Sequence, residues 1–216
     1  MIGTTEGAVD DCVHLAPRET AAGRGFTDPA QTTRDLVALR LMLDEIRRQA
    51  ARAATLPAGQ RPLVVDGREA DGRVHRAIVC DERRLGAGRD LTWVGFFGVK
   101  RRDRDNAPLT VMDDELVQEF PAHPSILSYS SLELADGDWG NLILLDDDAA
   151  CESWREGERH AYAARELAPR HYVDVRLHRG VLPGGVHAGS EPVLRRTKYY
   201  DYRDGVTWRA EREWPL

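Results

Sequence analysis

Four polar side chains alternate along HYVDVRLH (171–178), the last strand expected in the central part of the chain. Side chains two residues apart share one face of a strand, so this face carries Tyr172, Asp174, Arg176 and His178. The mostly apolar residues between them should meet the helices. We predict that Arg176 anchors an anionic group, that His178 carries a proton and that Tyr172 donates a hydrogen bond. Asp174 would hold the guanidinium in place; the alternative is a solvent-exposed face on which Asp174 and Arg176 form an ion pair.

Aromatic residues on two further strands are candidates for contact with an apolar substrate. In SILSYSSLEL (125–134), alternation favours Tyr129 on the side of a cavity and places two serines beneath a helix. In LTWVGFFGV (91–99), alternation leaves two possible apolar faces. We assign the face with Trp93 and Phe97 to substrate binding.

Two histidines are candidates for binding haem iron through the imidazole. His160 lies at the edge of a helical stripe of small residues that begins at Trp154. A stripe of such small residues leaves room for a flat ligand, or it packs closely on a sheet. His171 immediately precedes the last strand. For both residues the alternative is a histidine at the edge of the core that hydrogen-bonds to the backbone.

The composition argues against several classes of protein. The 216 residues include 30 Lys+Arg and 36 Asp+Glu, a net charge of −6, whereas nucleic-acid binding needs a basic face. The apolar runs are shorter than the about 20 residues of a membrane span, and the N-terminus lacks the pattern of a signal peptide. Cys12, Cys80 and Cys151 lie far apart and form no CxxC motif. We therefore expect a reduced, cytoplasmic protein with no nucleic-acid or membrane partner.

The N-terminal part of the chain divides into an arm and an extension. Residues 1–27 are rich in Gly, Ala and Thr without a sustained period, so we expect a loose arm. In residues 28–90, apolar residues recur at helical spacing from Leu36 to Ala53, behind an N-cap at Asp28 or Thr33. A β-hairpin follows. The helix packs on the protein's own sheet or pairs with a partner's copy.

Residues 91–182 show the order β-α-β-β-α-β. The strands are expected at 91–99, 125–134, 139–145 and 171–178, and the helices at 112–120 and from about 148 to 168, the second ended by Pro169. Residues 183–216 add a loop and a hairpin that extends the sheet or reaches a second subunit.

This order, with Trp154 and His160 on the longer helix and the closing strand HYVDVRLH, resembles the dimeric α+β barrel superfamily over about residues 91–180. The superfamily includes antibiotic-biosynthesis monooxygenase-like proteins, EthD-like proteins and haem-using barrel enzymes. The resemblance implies an α+β fold whose ferredoxin-like core forms a dimeric barrel, with the helix-hairpin extension before it and the hairpin after it. It also implies either no required cofactor or haem b.

A homodimer is also expected from the residues themselves. Tyrosines would lie on the open sheet face and on the C-terminal hairpin, at Tyr129, Tyr172, Tyr199 and Tyr200. Soluble monomers rarely expose so large an aromatic patch. We therefore predict that a second copy covers this face.

Three functions follow from these patterns. The first is a small-molecule enzyme of tailoring or catabolic metabolism, of oxygenase, cyclase or dehydratase type, acting on a hydrophobic or aromatic substrate in the barrel cavity. The second is a b-type haem-dependent oxidoreductase or lyase with a histidine axial ligand. The third is a non-catalytic ligand-binding or assembly module, in which the polar strand face is an interface.

Overall fold

The computed structural model describes residues 12–57, 62–189 and 191–215. These residues form a mixed α+β structure with one nine-stranded sheet and helices on both of its faces. The strands are β1 (Cys12–His14), β2 (Leu63–Arg68), β3 (Val74–Val79), β4 (Leu91–Lys100), β5 (Ile126–Glu133), β6 (Trp139–Leu145), β7 (Tyr172–Leu182), β8 (Val193–Asp201) and β9 (Trp208–Glu213). The α-helices are α1 (Pro29–Ala53), α2 (Glu82–Leu85), α3 (Ala107–Glu119), α4 (Asp148–Glu156), α5 (Glu158–Tyr162) and α6 (Ala168–His171), with a π-helical turn at Ala163–Leu167.

The centre of the sheet has the order β7-β4-β6-β5, and all of its neighbours are antiparallel. Helix α3 joins β4 to β5, and α4–α6 join β6 to β7, as the sequence pattern predicts. The β2–β3 hairpin adds two strands next to β5. The C-terminal hairpin, β8–β9, pairs with β7, so it extends the sheet of its own chain.

Helix α1 covers one face of the sheet, which we call the α1 face. It begins where the Asp28 side chain accepts a hydrogen bond from the Ala30 amide at 2.8 Å, with Pro29 in the first turn. Its apolar row is buried against Trp93, Phe97 and residues of β6. The helix therefore packs on the chain's own sheet, which is the first of its two predicted partners. Helices α3–α6 cover the opposite face.

The prediction of a loose N-terminal arm is wrong for residues 12–27, and residues 1–11 lie outside the described part of the chain. Strand β1 pairs with β9, and Leu15 and Phe26 are buried in one cluster with Tyr199. The buried guanidinium of Arg212 donates to the carbonyl oxygens of this segment and to Tyr199 Oη at 2.7 Å. A buried cation with several acceptors fixes the segment, a feature that composition does not reveal.

The long helix predicted before β7 is interrupted and ends later than expected. Gly157 adopts φ −56° and ψ 136° and separates α4 from α5. The π-helical turn follows, and Pro169 lies in the first turn of α6. The helical segment therefore continues to His171, and β7 starts at Tyr172.

Gly180 marks a close approach of β7 to β8. A Cβ atom at this position would collide with the carbonyl oxygen of Val193 and would lie 2.5 Å from the Trp93 ring. Gly180→Ala is therefore expected to lower the free energy of unfolding by about 1–3 kcal/mol. Urea denaturation measures this loss. Gly25→Ala is the control, because nothing lies within 4 Å of its added Cβ atom, and it should stay within about 0.5 kcal/mol of the wild type.

Candidate functional site

The polar residues of β7 do not share one face as predicted. The β4–β7 register shifts after Val99, which pairs with Asp174, while Lys100 pairs with Tyr172. This extra residue moves Tyr172 to the face of α3–α6, where its ring contacts Phe96 at a centroid distance of 5.4 Å. The predicted face of Tyr172 is therefore wrong, since a bulge reverses the alternation, while its role as a hydrogen-bond donor stays a prediction.

Arg176 and His178 do lie on the α1 face, but α1 covers them. Arg176 donates from Nε and Nη2 to Asp35 of α1, at 2.6 and 3.1 Å, and His178 Nε2 donates to the same carboxylate at 2.8 Å. The Thr197 hydroxyl lies 2.9 Å from His178 Nδ1, and Asp174 lies 3.5 Å from Arg176. His178 is 0% exposed. Helix α1 therefore fills the space in which a cavity was expected. Hydrogen bonds among Asp35, Arg176, His178 and Thr197, which we call the Asp35 network, hold the helix on the sheet.

Trp93 and Phe97 are placed on the same covered face, contrary to the role in substrate binding assigned to them. Both are buried beneath α1. The opposite side chains of β4, Val94 and Phe96, line an open cavity instead. Alternation identified the two faces of β4 correctly, but the pattern did not indicate which face a helix would fill.

The open cavity lies between the sheet and helices α3–α6. Its volume is about 970 Å³, counting the mouth, and its lining is mainly apolar. The sheet contributes Val94, Phe96, Tyr129, Asn141, Ile143, Tyr172 and Leu177, and α3 contributes Leu109, Met112, Asp113, Leu116 and Val117. None of the residues of α3 is fully buried. The helix therefore covers a space that its side chains do not fill.

A short hydrogen bond joins two titratable groups in this cavity. The Tyr129 hydroxyl donates to Asp113 Oδ1 at 2.6 Å. Burial raises the pKa of the Asp113 carboxyl above its ordinary 3.8, an effect that the bond from Tyr129 partly offsets. Burial and the Asp113 charge raise the pKa of the Tyr129 hydroxyl well above 10.0. The pair combines a carboxylate of increased basicity with a hydroxyl that stays protonated at neutral pH.

Tyr129 lines this cavity, but it lies on the face of α3–α6 and not, as predicted, on the open face with Arg176 and His178. The sequence prediction also missed Asp113. One signal for it is present in α3. Asp113 lies four residues after Leu109 and three before Leu116, so it interrupts the apolar row of the helix. Burial of a carboxylate in an apolar row costs free energy unless a hydrogen-bond donor or a cation pairs with it.

Of the two histidines predicted as haem ligands, His160 lines the cavity and His171 is not among its lining residues. The Nδ1 atom of each is buried without a hydrogen-bond partner among the described residues. Burial lowers the pKa of His160 below 6.5, which favours the neutral imidazole. The rings of His160 and Trp154 meet edge to face at 5.7 Å. The His160 ring also hydrogen-bonds to the backbone of Arg155, as the alternative predicts. A neutral imidazole that lines an apolar cavity is compatible with ligation of haem iron as well.

A polar extension opens the cavity toward the β2–β3 hairpin. It has a volume of about 770 Å³ and shares Asp113, Asn141 and Tyr172 with the apolar cavity. Arg76 lies in its wall and bonds to Asp66 at 2.7 Å and to Asp114 at 3.0 Å. Asp113 and its partner Tyr129 therefore lie where the apolar cavity and the polar extension meet.

Neither a metal site nor a membrane-spanning helix is found among the described residues. Within them, no group of three or more His, Cys, Asp and Glu side chains is arranged to hold a metal ion. None of the helices described there is long and apolar enough to cross a membrane.

No family model and no curated protein matches the chain. Among the solved structures that are similar to it, two match over 44% of its length and 92% of theirs. One is the protein SO0527 from Shewanella oneidensis, with 10% sequence identity and a TM-score of 0.39. The other is a mutant of SnoaB, a cofactor-independent oxygenase from Streptomyces nogalater, with 13% identity and a TM-score of 0.34.

Proposed function

We propose that this protein is an enzyme that transforms a hydrophobic or aromatic small molecule in the cavity between the sheet and helices α3–α6. The observation that carries the proposal is the Asp113–Tyr129 pair, which is the acid–base combination at the junction of an apolar and a polar space. Perturbed titratable groups in a cleft are typical of catalytic sites.

Asp113 acts as the general base in this proposal. Burial of the Asp113 carboxyl raises its pKa and so strengthens it as a base. Tyr129 holds the carboxylate by its hydrogen bond, and the protonated Asp113 returns the proton to the product. Oxygenation without a cofactor, cyclisation and dehydration all can begin with removal of a proton next to an aromatic ring or a carbonyl group. The geometry supports that common first step for the tailoring enzyme predicted from the sequence.

We propose that residues 91–182 form a ferredoxin-like core of the dimeric α+β barrel type. The support is the strand order β7-β4-β6-β5 with its two helical connections on one face. In this chain α1 occupies the opposite face, so the N-terminal extension takes the place in which a partner's sheet would stack. Dimerisation, haem binding and a cytoplasmic location remain proposals from the sequence.

The aromatic face from which the sequence predicts a homodimer is not exposed in the structure. Tyr129 and Tyr172 lie beneath helices, and Tyr199 is buried. A dimer that stacks two α1 faces would have to displace α1. Sedimentation velocity at micromolar concentration tests the state: a species of twice the chain mass of 24.2 kDa supports a dimer through another surface, and a single-chain species contradicts one.

The proposed activity is tested with a panel of hydroxylated naphthalenes and anthracenes. Purified protein is incubated with each compound in D₂O-containing buffer, and mass spectrometry follows product formation and deuterium incorporation. We expect the wild type to accelerate exchange or conversion of at least one compound. Tight binding without exchange or conversion across the panel would instead support the non-catalytic ligand-binding module.

The haem-dependent enzyme is the second candidate, and the unpartnered Nδ1 of His160 favours it. His160 would hold the iron, and the group would supply redox or Lewis-acid chemistry in the apolar cavity. Titration with haemin, followed by absorption spectroscopy, tests this candidate. A Soret band that shifts on binding and is lost in His160→Ala supports it; an unchanged spectrum of free haemin rejects it.

A further inference from the structure

The apolar cavity has a second mouth, on the side of the C-terminal hairpin. This mouth is part of a space of about 840 Å³ that shares Val94, Phe96, Trp154 and Leu177 with the apolar cavity. Its charged lining residues are four cations, Arg155, Arg179, Arg196 and Lys198, and one carboxylate, Glu152. The whole chain has the opposite balance, with a net charge of −6. The cations are therefore concentrated where a ligand would enter.

The register of β7 and β8 brings two of these cations to the cavity side. Lys198 pairs with Leu177, and Arg196 pairs with Arg179. Paired residues of antiparallel strands project to the same face, and Leu177 lines the cavity. Lys198 and Arg196 therefore stand two residues apart beside the mouth. Strand β8 lies outside residues 91–182, so this feature comes from the C-terminal extension.

The four cations differ in how far they are already neutralised. Arg179 forms ion pairs with Asp148 at 2.8 Å and Glu152 at 2.9 Å, and Arg155 pairs with Glu152 at 3.0 Å. Among the described residues, the ion pair of Arg196 is a long one, 4.0 Å from Glu213, and its charge also attracts the Asp148 carboxylate.

The side-chain ammonium of Lys198 has no hydrogen bond or ion pair with any residue that the structure describes. The nearest carboxylate by register is Glu211 of β9, whose Oε1 lies 3.1 Å from His14. Lys198 and Arg196 are thus the two cations at this mouth that remain available to an anion.

We infer that the ligand of the cavity is an amphiphilic anion: a hydrophobic or aromatic body with one anionic group that Lys198 and Arg196 bind. This inference rests on the proposed function and adds the chemical class of the substrate. The apolar walls accept the body, and a partly desolvated cation pair at the mouth binds an anion more strongly than exposed cations do. The anionic group then lies at the β8 side, and the far end of the body points toward Asp113 and Tyr129.

Two fluorescent probes with the same ring system test the inference. 8-Anilino-1-naphthalenesulfonate carries one anionic group, and N-phenyl-1-naphthylamine lacks it. The dissociation constants of both are measured for the wild type, for the double variant Lys198→Gln/Arg196→Gln and for Lys100→Gln. Lys100 is the matched control, since it is a lysine in the polar extension at the other end of the cavity.

We expect the double variant to bind the sulfonate about tenfold more weakly and the uncharged probe within twofold of the wild type. Lys100→Gln should leave both constants within twofold. Raising the salt concentration from 50 to 500 mM should weaken wild-type binding of the sulfonate and leave the uncharged probe unaffected, a readout that needs no variant.

Ala163→Trp separates failure of this inference from failure of the proposed function, because it fills the cavity. One outcome is that the wild type binds both probes, Ala163→Trp binds neither, and the double variant binds both as the wild type does. In that case the probes occupy the cavity, but Lys198 and Arg196 do not bind the anionic group, and the inference is wrong. Loss of sulfonate binding in Lys100→Gln alone places the anion at the other end and also overturns the inference. If Ala163→Trp binds both probes as well as the wild type, the probes do not use the cavity, and the proposed function fails with the inference.

Discussion

Replacing Asp35 by Ala is expected to lower the free energy of unfolding by about 3–5 kcal/mol, the usual cost of removing one partner from a buried ion pair. Asp35 accepts both Arg176 bonds and the His178 bond, and all three side chains are buried. Without the carboxylate, the guanidinium is left with Asp174 at 3.5 Å. Urea denaturation followed by circular dichroism measures the loss.

Asp44→Ala is the control for this variant, because Asp44 is an exposed acid of α1 paired with Arg47 at 3.0 Å. It should change the free energy of unfolding by no more than about 1 kcal/mol. Equal stability of the Asp35→Ala and Asp44→Ala proteins would contradict the account of the Asp35 network. The same network makes His178 a structural residue, so His178→Gln should also destabilise the fold, contrary to what a cavity position would imply.

The stabilisation by Asp35 should depend on pH in a defined direction. Burial alone would raise the pKa of the carboxyl, but the bonds from His178 and Arg176 outweigh it and lower the pKa below 3.8. A lowered folded-state pKa stabilises the protein above about pH 4, and this contribution is lost as the pH falls toward the folded-state value. The wild type should therefore lose more stability than Asp35→Ala between pH 5 and pH 2, in denaturation series at each pH. Parallel curves for the two proteins would contradict the ion pair.

Asp113→Asn is expected to reduce turnover by about 10²–10⁴, the usual scale for a lost general base. The amide keeps the size of the side chain but cannot take a proton. Binding of the uncharged N-phenyl-1-naphthylamine should stay within twofold, since the cavity walls are unchanged. Asp103→Asn, an exposed acid before α3, is the control with unaltered turnover. A variant that retains full turnover would show that Asp113 is not the base.

The pH profile of the wild type gives a second readout for Asp113. Because burial raises the pKa of this carboxyl, the acid limb of kcat/KM should have its midpoint above 3.8. Tyr129→Phe removes the hydrogen bond that opposes this shift and should move the midpoint to higher pH. If the midpoint of the acid limb is the same in Tyr129→Phe and in the wild type, the limb reports the titration of a group other than Asp113.

Local periodicity predicted the elements well. Helical spacing predicted α1 with a cap at Asp28 or Thr33, of which Asp28 is the cap, and alternation predicted the strands of the centre and both hairpins. These features depend on neighbours within a few residues, which the sequence displays directly. The helix break at Gly157 and the continuation through Pro169 were missed, because one glycine disfavours a helix by only about 1 kcal/mol and the sequence does not indicate the π-helical turn before Pro169.

The faces were harder to predict than the elements. One bulge moved Tyr172 to the other side of β7, and alternation cannot detect such a shift. The pairing of Asp35 with Arg176 joins residues 141 positions apart, a distance over which no local pattern carries information. The site was therefore assigned to the face that α1 fills, while Asp113, on the opposite face, was overlooked.

A crystal structure of the protein with bound N-phenyl-1-naphthylamine tests the location of the site most directly. We predict electron density for its rings between β4 and α3, in contact with Phe96 and Tyr129 and beside the Asp113 carboxylate. Density on the α1 face next to Arg176 and His178, with α1 displaced, would contradict the account.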